Sequence, residues 1–216
     1  MIIYGPQGEK MRKLKETEEI LEQVSTKHCF ITGSYLYKKK YRDIDMFVIT
    51  RSKKKFKVRN KKAKISFIDF NDLHSLFYHS ISKSCISKGV LPKKDLKVTI
   101  SDYWQVVNEA VPTIMNRKNK YHKDIRFLVL YTEYFRTGEV LDTFQLDSKI
   151  KSFKNYKEIL TYIDREVPLV INKKIKKSYL RRFFYTQAGF YKGINYKAQR
   201  FLYELSHKIT RGVYCG

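Results

Sequence analysis

The segment ITGSYLYKKKYRDIDMFVIT, residues 31–50, constrains the fold more than any other part of the sequence. Its two ends are apolar and rich in β-branched residues, which predicts two short strands, and Gly33-Ser34 breaks the chain after the first. Asp43 and Asp45 lie two residues apart in the second strand, so their side chains project from the same face. Two carboxylates this close repel each other and resist leaving water. The pattern therefore predicts a cation between the two aspartates.

The rest of the first hundred residues adds a helix, a further strand and a second helix. Apolar residues recur with a 3.6-residue period from about residue 9 to 27, which predicts an amphipathic helix. Residues 64–70, KISFIDF, alternate in polarity and predict a third strand with a carboxylate at its end. Asn71 or Asp72 could cap a following helix that runs to about Ser82. The turn-rich stretch KGVLPKKD then predicts a domain boundary.

Beyond about residue 100 the sequence indicates helices only. Asp102 is predicted to be the N-cap of YWQVVNEAVPTIMN, and a second helix, YHKDIRFLVLYTEYF, is predicted to end at Gly138. Further helices are predicted over residues 154–166, 171–190 and 195–210. The sequence therefore predicts an α+β protein, with a small mixed-sheet domain over residues 1–100 followed by a C-terminal helical bundle over residues 101–216.

The positive charge is concentrated in two blocks. Lysine and arginine number 45 against 21 acids, a net charge of +24. Residues 38–64 hold 13 of the basic side chains and residues 171–212 hold 11. Blocks of this kind suggest a surface for a polyanion, whereas solvated lysine-rich faces are the alternative. In the second block, where aromatic residues alternate with basic ones, we predict RNA contacts at Lys173, Lys174, Lys176, Lys177, Arg181 and Arg182. The alternative there is that the aromatic side chains form the core of the bundle.

Several classes of protein are excluded or disfavoured by sequence patterns. Cys29, Cys85 and Cys215 are widely spaced, which disfavours a zinc site, and the histidines show no ligand spacing. No P-loop motif and no Gly-x-Ser-x-Gly motif occurs. No apolar run approaches the roughly 18 residues of a membrane span, and charge interrupts the first residues before an apolar signal region forms. We therefore expect a cytoplasmic protein with no membrane partner.

Two motifs together resemble a known superfamily. Gly33-Ser34 after a strand, followed eight residues later by Asp43-Ile44-Asp45-Met46, is similar to the signature of nucleotidyltransferases of DNA polymerase β type. The resemblance covers about residues 28–70 and implies a nucleotidyltransferase domain that binds an NTP and two magnesium ions. It implies that Gly33 and Ser34 cradle phosphate oxygens and that Asp43, Asp45 and Asp69 act as catalytic metal ligands. Asp72 is the substitute for Asp69, and Arg42 could either neutralise the aspartates or reach a phosphate.

The resemblance also limits the function that we expect. Members that modify cationic drugs are disfavoured, because the lysine-rich surroundings would repel such a substrate. A nucleotidyltransferase domain followed by helices looks like the toxin–antitoxin and abortive-infection branches, which implies transfer of a nucleoside monophosphate to a hydroxyl on RNA, such as a tRNA end. AMPylation of a partner protein is one alternative. The other is an inactive nucleic-acid or partner-binding module.

Each residue assignment also has a structural alternative. Asp43 and Asp45 could instead be paired with neighbouring lysines, because buried carboxylates are usually paired whether or not they are functional. Asp69 could equally cap a turn or a helix. Gly33-Ser34 could be a plain turn.

Overall fold

A computed structural model describes residues 1–51, 56, 58–116 and 122–174. These residues form five strands: β1 (Ile2–Tyr4), β2 (Cys29–Thr32), β3 (Ile44–Ile49), β4 (Ala63–Ile68) and β5 (Cys85–Ser87). They also form six α-helices: α1 (Gly8–Leu21), α2 (Leu76–Ser82), α3 (Ile100–Asn116), α4 (His122–Thr137), α5 (Thr143–Lys151) and α6 (Tyr156–Lys174). The chain divides into two compact units. The first unites Met1–Val98 with Val140–Ser148, and the second unites Thr99–Glu139 with residues 149–174.

All five strands belong to one mixed sheet in the order β1-β5-β2-β3-β4. The β3–β4 pair is parallel, whereas the other three neighbouring pairs are antiparallel. The mixed sheet and the three predicted strands are therefore confirmed. Strands β1 and β5 were not predicted, because three residues are too few to show a two-residue period.

Apolar side chains cover both faces of this sheet. Ile44, Met46 and Val48 of β3 join a buried cluster that includes Ile20 and Leu21 of α1. Phe47 and Ile49, at the alternate positions of β3, pack on the opposite face in a second cluster, which also contains Tyr78 and Ile81 of α2. Because successive strand residues alternate between faces, Asp45 lies on the same face as Phe47 and Ile49. That face is where α2 packs.

The ends of the helices in the first unit differ from those predicted. Helix α1 ends at Leu21, about six residues early. A short 3-10 turn, Phe70–His74, separates β4 from α2, and the cap of α2 is Ser75, whose hydroxyl accepts a hydrogen bond from the Tyr78 amide at 3.2 Å. The predicted caps Asn71 and Asp72 therefore lie inside the 3-10 turn. Asn71, Asp72 and Ser75 lie within five positions and all three are residue types that cap helices, so the sequence could not show which one caps α2.

Helix α3, in the second unit, begins with a reciprocal cap. The Asp102 amide donates to the Thr99 hydroxyl at 3.3 Å, and the Asp102 carboxylate accepts from the Thr99 amide at 2.7 Å. Asp102 is thus the first-turn partner of a capping box and not the N-cap that the sequence predicted.

The other helices of the second unit match the prediction in part. Ile125, Leu128 and Thr132 of α4 are buried along one face, and α4 ends before Gly138, which has φ of 81°. Helix α5, most of which belongs to the first unit, was not predicted. Helix α6 extends the predicted 154–166 segment through Pro168 to Lys174, while residues 175–210 of the remaining predicted helices lie outside the described residues. None of the helices in the described part of the chain is long and apolar enough to cross a membrane.

Candidate functional site

The candidate site is built around the turn that follows β2. Strand β2 ends at Thr32, and Ser34–Leu36 then form a 3-10 turn. The Leu36 amide donates to the Gly33 carbonyl at 3.1 Å, and the Lys38 amide donates to the Ser34 carbonyl at 2.9 Å. Within the described part of the chain the half-buried Ser34 hydroxyl makes no hydrogen bond. This hydroxyl is therefore available to a ligand.

Gly33 and Asp45 lie against each other. Thr32 pairs with Asp45 across the antiparallel β2–β3 ladder, which brings the turn beside the aspartate. Gly33 has φ of 82° and ψ of −165°, a conformation that is essentially restricted to glycine. A Cβ atom at this position would lie 2.7 Å from Asp45 Oδ2, closer than real Cβ atoms approach oxygen. The backbone conformation therefore strongly favours glycine, and any Cβ atom at this position would push the Asp45 carboxylate aside.

Asp43 has cationic partners. Its Oδ2 accepts a hydrogen bond from Lys64 Nζ at 2.6 Å and lies 3.4 Å from Arg42 Nε. The Lys64 hydrogen bond lowers the pKa of Asp43 below its ordinary value, partial burial opposes that shift, and the charges of Lys64 and Arg42 add to it. The sequence predicted a cation between the two aspartates, whereas the structure shows Lys64 paired with Asp43 and the exposed Arg42 as a weaker partner of the same carboxylate.

Lys64 reaches Asp43 because of the register of the sheet. The parallel β3–β4 pairing places Lys64 opposite Asp45 and Ser66 opposite Phe47. These two β4 residues share the face of Asp45. Neither is an acid. The sequence contained Lys64 as the first residue of the third strand, but a parallel register cannot be read from one strand alone.

Asp69 is not brought to the other two aspartates, which corrects the predicted three-carboxylate site. Asp45 pairs with Lys64 near the start of the parallel strands, whereas Asp69 follows the pair formed by Ile49 and Ile68 at their far end. Five residues of strand separate Lys64 from Asp69, about 16 Å at 3.3 Å per residue. The Asp69 carboxylate instead accepts a hydrogen bond from the Asn71 amide at 2.8 Å and caps the 3-10 turn. Asp72, the substitute, lies inside that turn, still farther from Lys64 along the chain.

Asp43 and Asp45 are the two carboxylates of the candidate site. Asp43 and Asp45 offer carboxylate oxygens, the ligands that Mg²⁺ prefers, and such an ion is commonly held by one or two carboxylates and substrate phosphates. Lys64 would have to leave Asp43, and its side chain, 64% exposed, has the freedom to do so. Among the described residues no group of three or more acidic, histidine or cysteine side chains could hold a metal ion. The two-ion arrangement that the resemblance implies therefore lacks its third carboxylate here.

The segment Val140–Ser148, distant in sequence, holds the site turn in place. Lys38 Nζ pairs with Asp147 Oδ2 at 2.7 Å, and both side chains are largely buried. The Tyr37 hydroxyl donates to the Thr143 carbonyl at 3.3 Å, and the Thr32 and Thr143 hydroxyls are 3.4 Å apart. These contacts were not predicted from the sequence. Asp147 gave no local signal, because an acid in a polar helical segment is ordinary.

The predicted RNA-binding residues are not placed by the structure. Lys173 and Lys174 belong to the last turn of α6, but their side chains are outside the described part of the chain. Lys176, Lys177, Arg181 and Arg182 also lie outside the described residues. Their proposed contacts remain predictions.

Comparisons with known proteins give no relative. No family model matches the chain, and neither a curated protein nor a solved structure matches it.

Proposed function

We propose that the turn at Gly33-Ser34, together with Asp43 and Asp45, binds a magnesium-bound nucleoside triphosphate and transfers its nucleoside monophosphate to a hydroxyl on RNA. The observation that carries the proposal is the contact of Asp45 with Gly33. It joins in space the two halves of a motif that are separate in sequence. It also places a carboxylate beside a turn with an available hydroxyl.

The residues of the chain have separate tasks in this proposal. Gly33 lets the Asp45 carboxylate lie against the turn, and the Ser34 hydroxyl donates to a phosphate oxygen. Lys64, once displaced from Asp43, and the exposed Arg42 offset the charge of the triphosphate. Magnesium, when bound, would be held by Asp43, Asp45 and the triphosphate and would offset part of their negative charge. In the reaction the acceptor oxygen bonds to the α-phosphorus, pyrophosphate leaves, and the hydroxyl proton passes to solvent.

The second candidate is a module that binds a nucleotide or RNA without transferring anything. It is favoured by a specific observation: Lys64 and Ser66 occupy the β4 positions beside Asp45, so no third carboxylate is there to receive the proton or to hold a second ion. Both candidates require nucleotide binding at the same residues. They differ in whether a covalent product forms.

One experiment separates these candidates. The purified protein is incubated with each radiolabelled NTP, magnesium and total RNA, and the products are separated under denaturing conditions. Label on RNA supports transfer to RNA, label on a protein supports the AMPylation alternative, and binding without label supports the second candidate.

Variants of the aspartates test whether this site is responsible. Asp43→Asn and Asp45→Asn should abolish magnesium-dependent nucleotide binding and leave the fold intact, because both side chains lie at the edge of the core. Circular dichroism supplies the control. Unchanged NTP binding in both variants, measured by equilibrium dialysis, would refute the proposal.

A further inference from the structure

A basic cleft lies at the opposite end of the parallel strands from Asp43 and Asp45. It has a volume of about 630 Å³ and lies where residues 93–97 cross the 3-10 turn and α2. Its walls are formed by His74, His79, Lys93, Lys94, Asp95, Leu96 and Lys97. Three lysines and two histidines thus face one acid among its described lining residues. Neither the charge blocks nor the motifs of the sequence pointed to this surface.

The backbone of this cleft is fixed. The Lys97 amide donates to the His74 carbonyl at 2.9 Å, and Lys94 Nζ donates to the Phe70 carbonyl at 2.6 Å. His79 Nε2 lies 2.9 Å from the Lys94 carbonyl oxygen, within hydrogen-bond distance. The lysines are therefore presented by an anchored segment. A ligand would lose little entropy in ordering it.

Two of the lysines have no internal partner. Lys93 and Lys97 are exposed, and within the described part of the chain neither ammonium group makes a hydrogen bond or an ion pair. Both side chains line the same cleft, and like charges repel each other, so an anion that binds between them is favoured. In protein–nucleic acid complexes, many lysine side chains bind the backbone phosphates.

A second cleft, with apolar walls, adjoins the basic one. It has a volume of about 470 Å³, shares His79 and Lys93 with the basic cleft, and is lined also by Tyr4, Tyr78, Ser82, Lys83, Leu91 and Val140. Its walls are held by hydrogen bonds: the Tyr78 hydroxyl donates to the Pro92 carbonyl at 2.6 Å, and the Leu91 amide donates to the Tyr4 hydroxyl at 3.0 Å. A cationic cleft that opens into an apolar one suits a chain that alternates phosphates with flat apolar groups. An acidic peptide would use only the first.

We propose that these two adjoining clefts bind single-stranded RNA, with phosphates on Lys93, Lys94 and Lys97 and a base or ribose against the wall formed by Leu91 and Val140. The choice of RNA over DNA rests on the proposed function. The binding surface itself rests on the clefts alone.

The test is RNA binding in the absence of NTP and magnesium. Fluorescence anisotropy of a labelled 12-nucleotide single-stranded RNA is measured against the full chain at several salt concentrations. The triple variant K93E/K94E/K97E should bind at least tenfold more weakly. The slope of log affinity against log salt should fall by about 2, at roughly 0.7 for each lost phosphate contact.

Two further variants control this measurement. K15E/K151E/K157E changes the net charge equally at exposed lysines outside the cleft and should lose clearly less affinity. K93Q/K97Q spares Lys94, which bonds the Phe70 carbonyl, so it tests the cleft even if the triple variant misfolds. Equal losses in the two triple variants, or unchanged affinity in K93Q/K97Q, would overturn the proposal.

Two other polyanions test the choice of ligand. Inorganic polyphosphate of similar charge should bind more weakly than RNA, since it has nothing for the apolar cleft. Polyglutamate should bind more weakly still. Equal affinity for RNA and polyglutamate would overturn RNA as the ligand and favour an acidic protein. The assay contains neither NTP nor magnesium, so failure of the proposed transfer reaction leaves this result interpretable.

Discussion

Gly33→Ala tests most directly whether the Gly33–Asp45 contact defines the candidate site. Alanine at φ of 82° and ψ of −165° costs about 1–3 kcal/mol in backbone strain. The new Cβ would lie 2.7 Å from Asp45 Oδ2, and ordinary contact begins at 3.4 Å, so the carboxylate has to retreat by about 0.7 Å. Forcing Asp45 off its rotamer adds about 1 kcal/mol. The free energy of unfolding should therefore fall by about 2–4 kcal/mol.

Urea denaturation followed by circular dichroism measures this loss, and Gly138→Ala is the matched control. Gly138 has φ of 81°, but a Cβ there would meet no atom of the described residues within 4 Å. The control should therefore show backbone strain alone, about 1–2 kcal/mol. Gly33→Ala should be the more destabilising change.

A double-mutant cycle isolates the contact itself. In an Asp45→Ala background the carboxylate is absent, so the cost of Gly33→Ala should fall by about 1 kcal/mol, to the strain alone. If the cost of Gly33→Ala is the same in both backgrounds, the contact with Asp45 does not constrain the turn and the reasoning about the site is refuted.

Three further changes test neighbouring features. Lys64→Met should raise the pKa of Asp43 toward its ordinary value in an NMR titration. The stability that the wild type gains from this ion pair is present above the unfolded-state pKa of about 3.9 and is lost as pH falls through the lowered folded-state pKa. The two proteins should therefore differ in urea denaturation at pH 7 and converge in strong acid. Asp69→Ala should destabilise the fold by about 1 kcal/mol, because the 3-10 turn loses its cap, and should leave NTP binding unchanged. Loss of NTP binding with normal stability would show that Asp69 belongs to the nucleotide site. A double-mutant cycle of Lys38→Met and Asp147→Asn should give a coupling free energy of unfolding of about 0.5–1 kcal/mol, which weakens as salt is added. Zero coupling at low salt would contradict the anchoring of the site turn by Val140–Ser148.

Local features of the site could be predicted from the sequence. The strand period places Asp43 and Asp45 on one face, and Lys64, which lies opposite Asp45, does reach Asp43. Charge repulsion alone predicts a cation near the aspartates, and Lys64 pairs with Asp43. Gly33-Ser34 was identified as a turn, because a glycine that follows an apolar strand is a local signal. These predictions succeed because periodicity and turn chemistry depend on neighbours along the chain.

Only the tertiary structure decides which distant residues meet this turn. The parallel register of β3 and β4 sets Lys64 beside Asp45 and carries Asp69 to the far end of the strands, although the sequence offered Asp69 as the third acid. The packing of Val140–Ser148 with the sheet brings Asp147 to Lys38 across more than a hundred residues. Register and packing are fixed by the burial of whole faces against one another, a property of the assembled sheet and helices that no single segment carries.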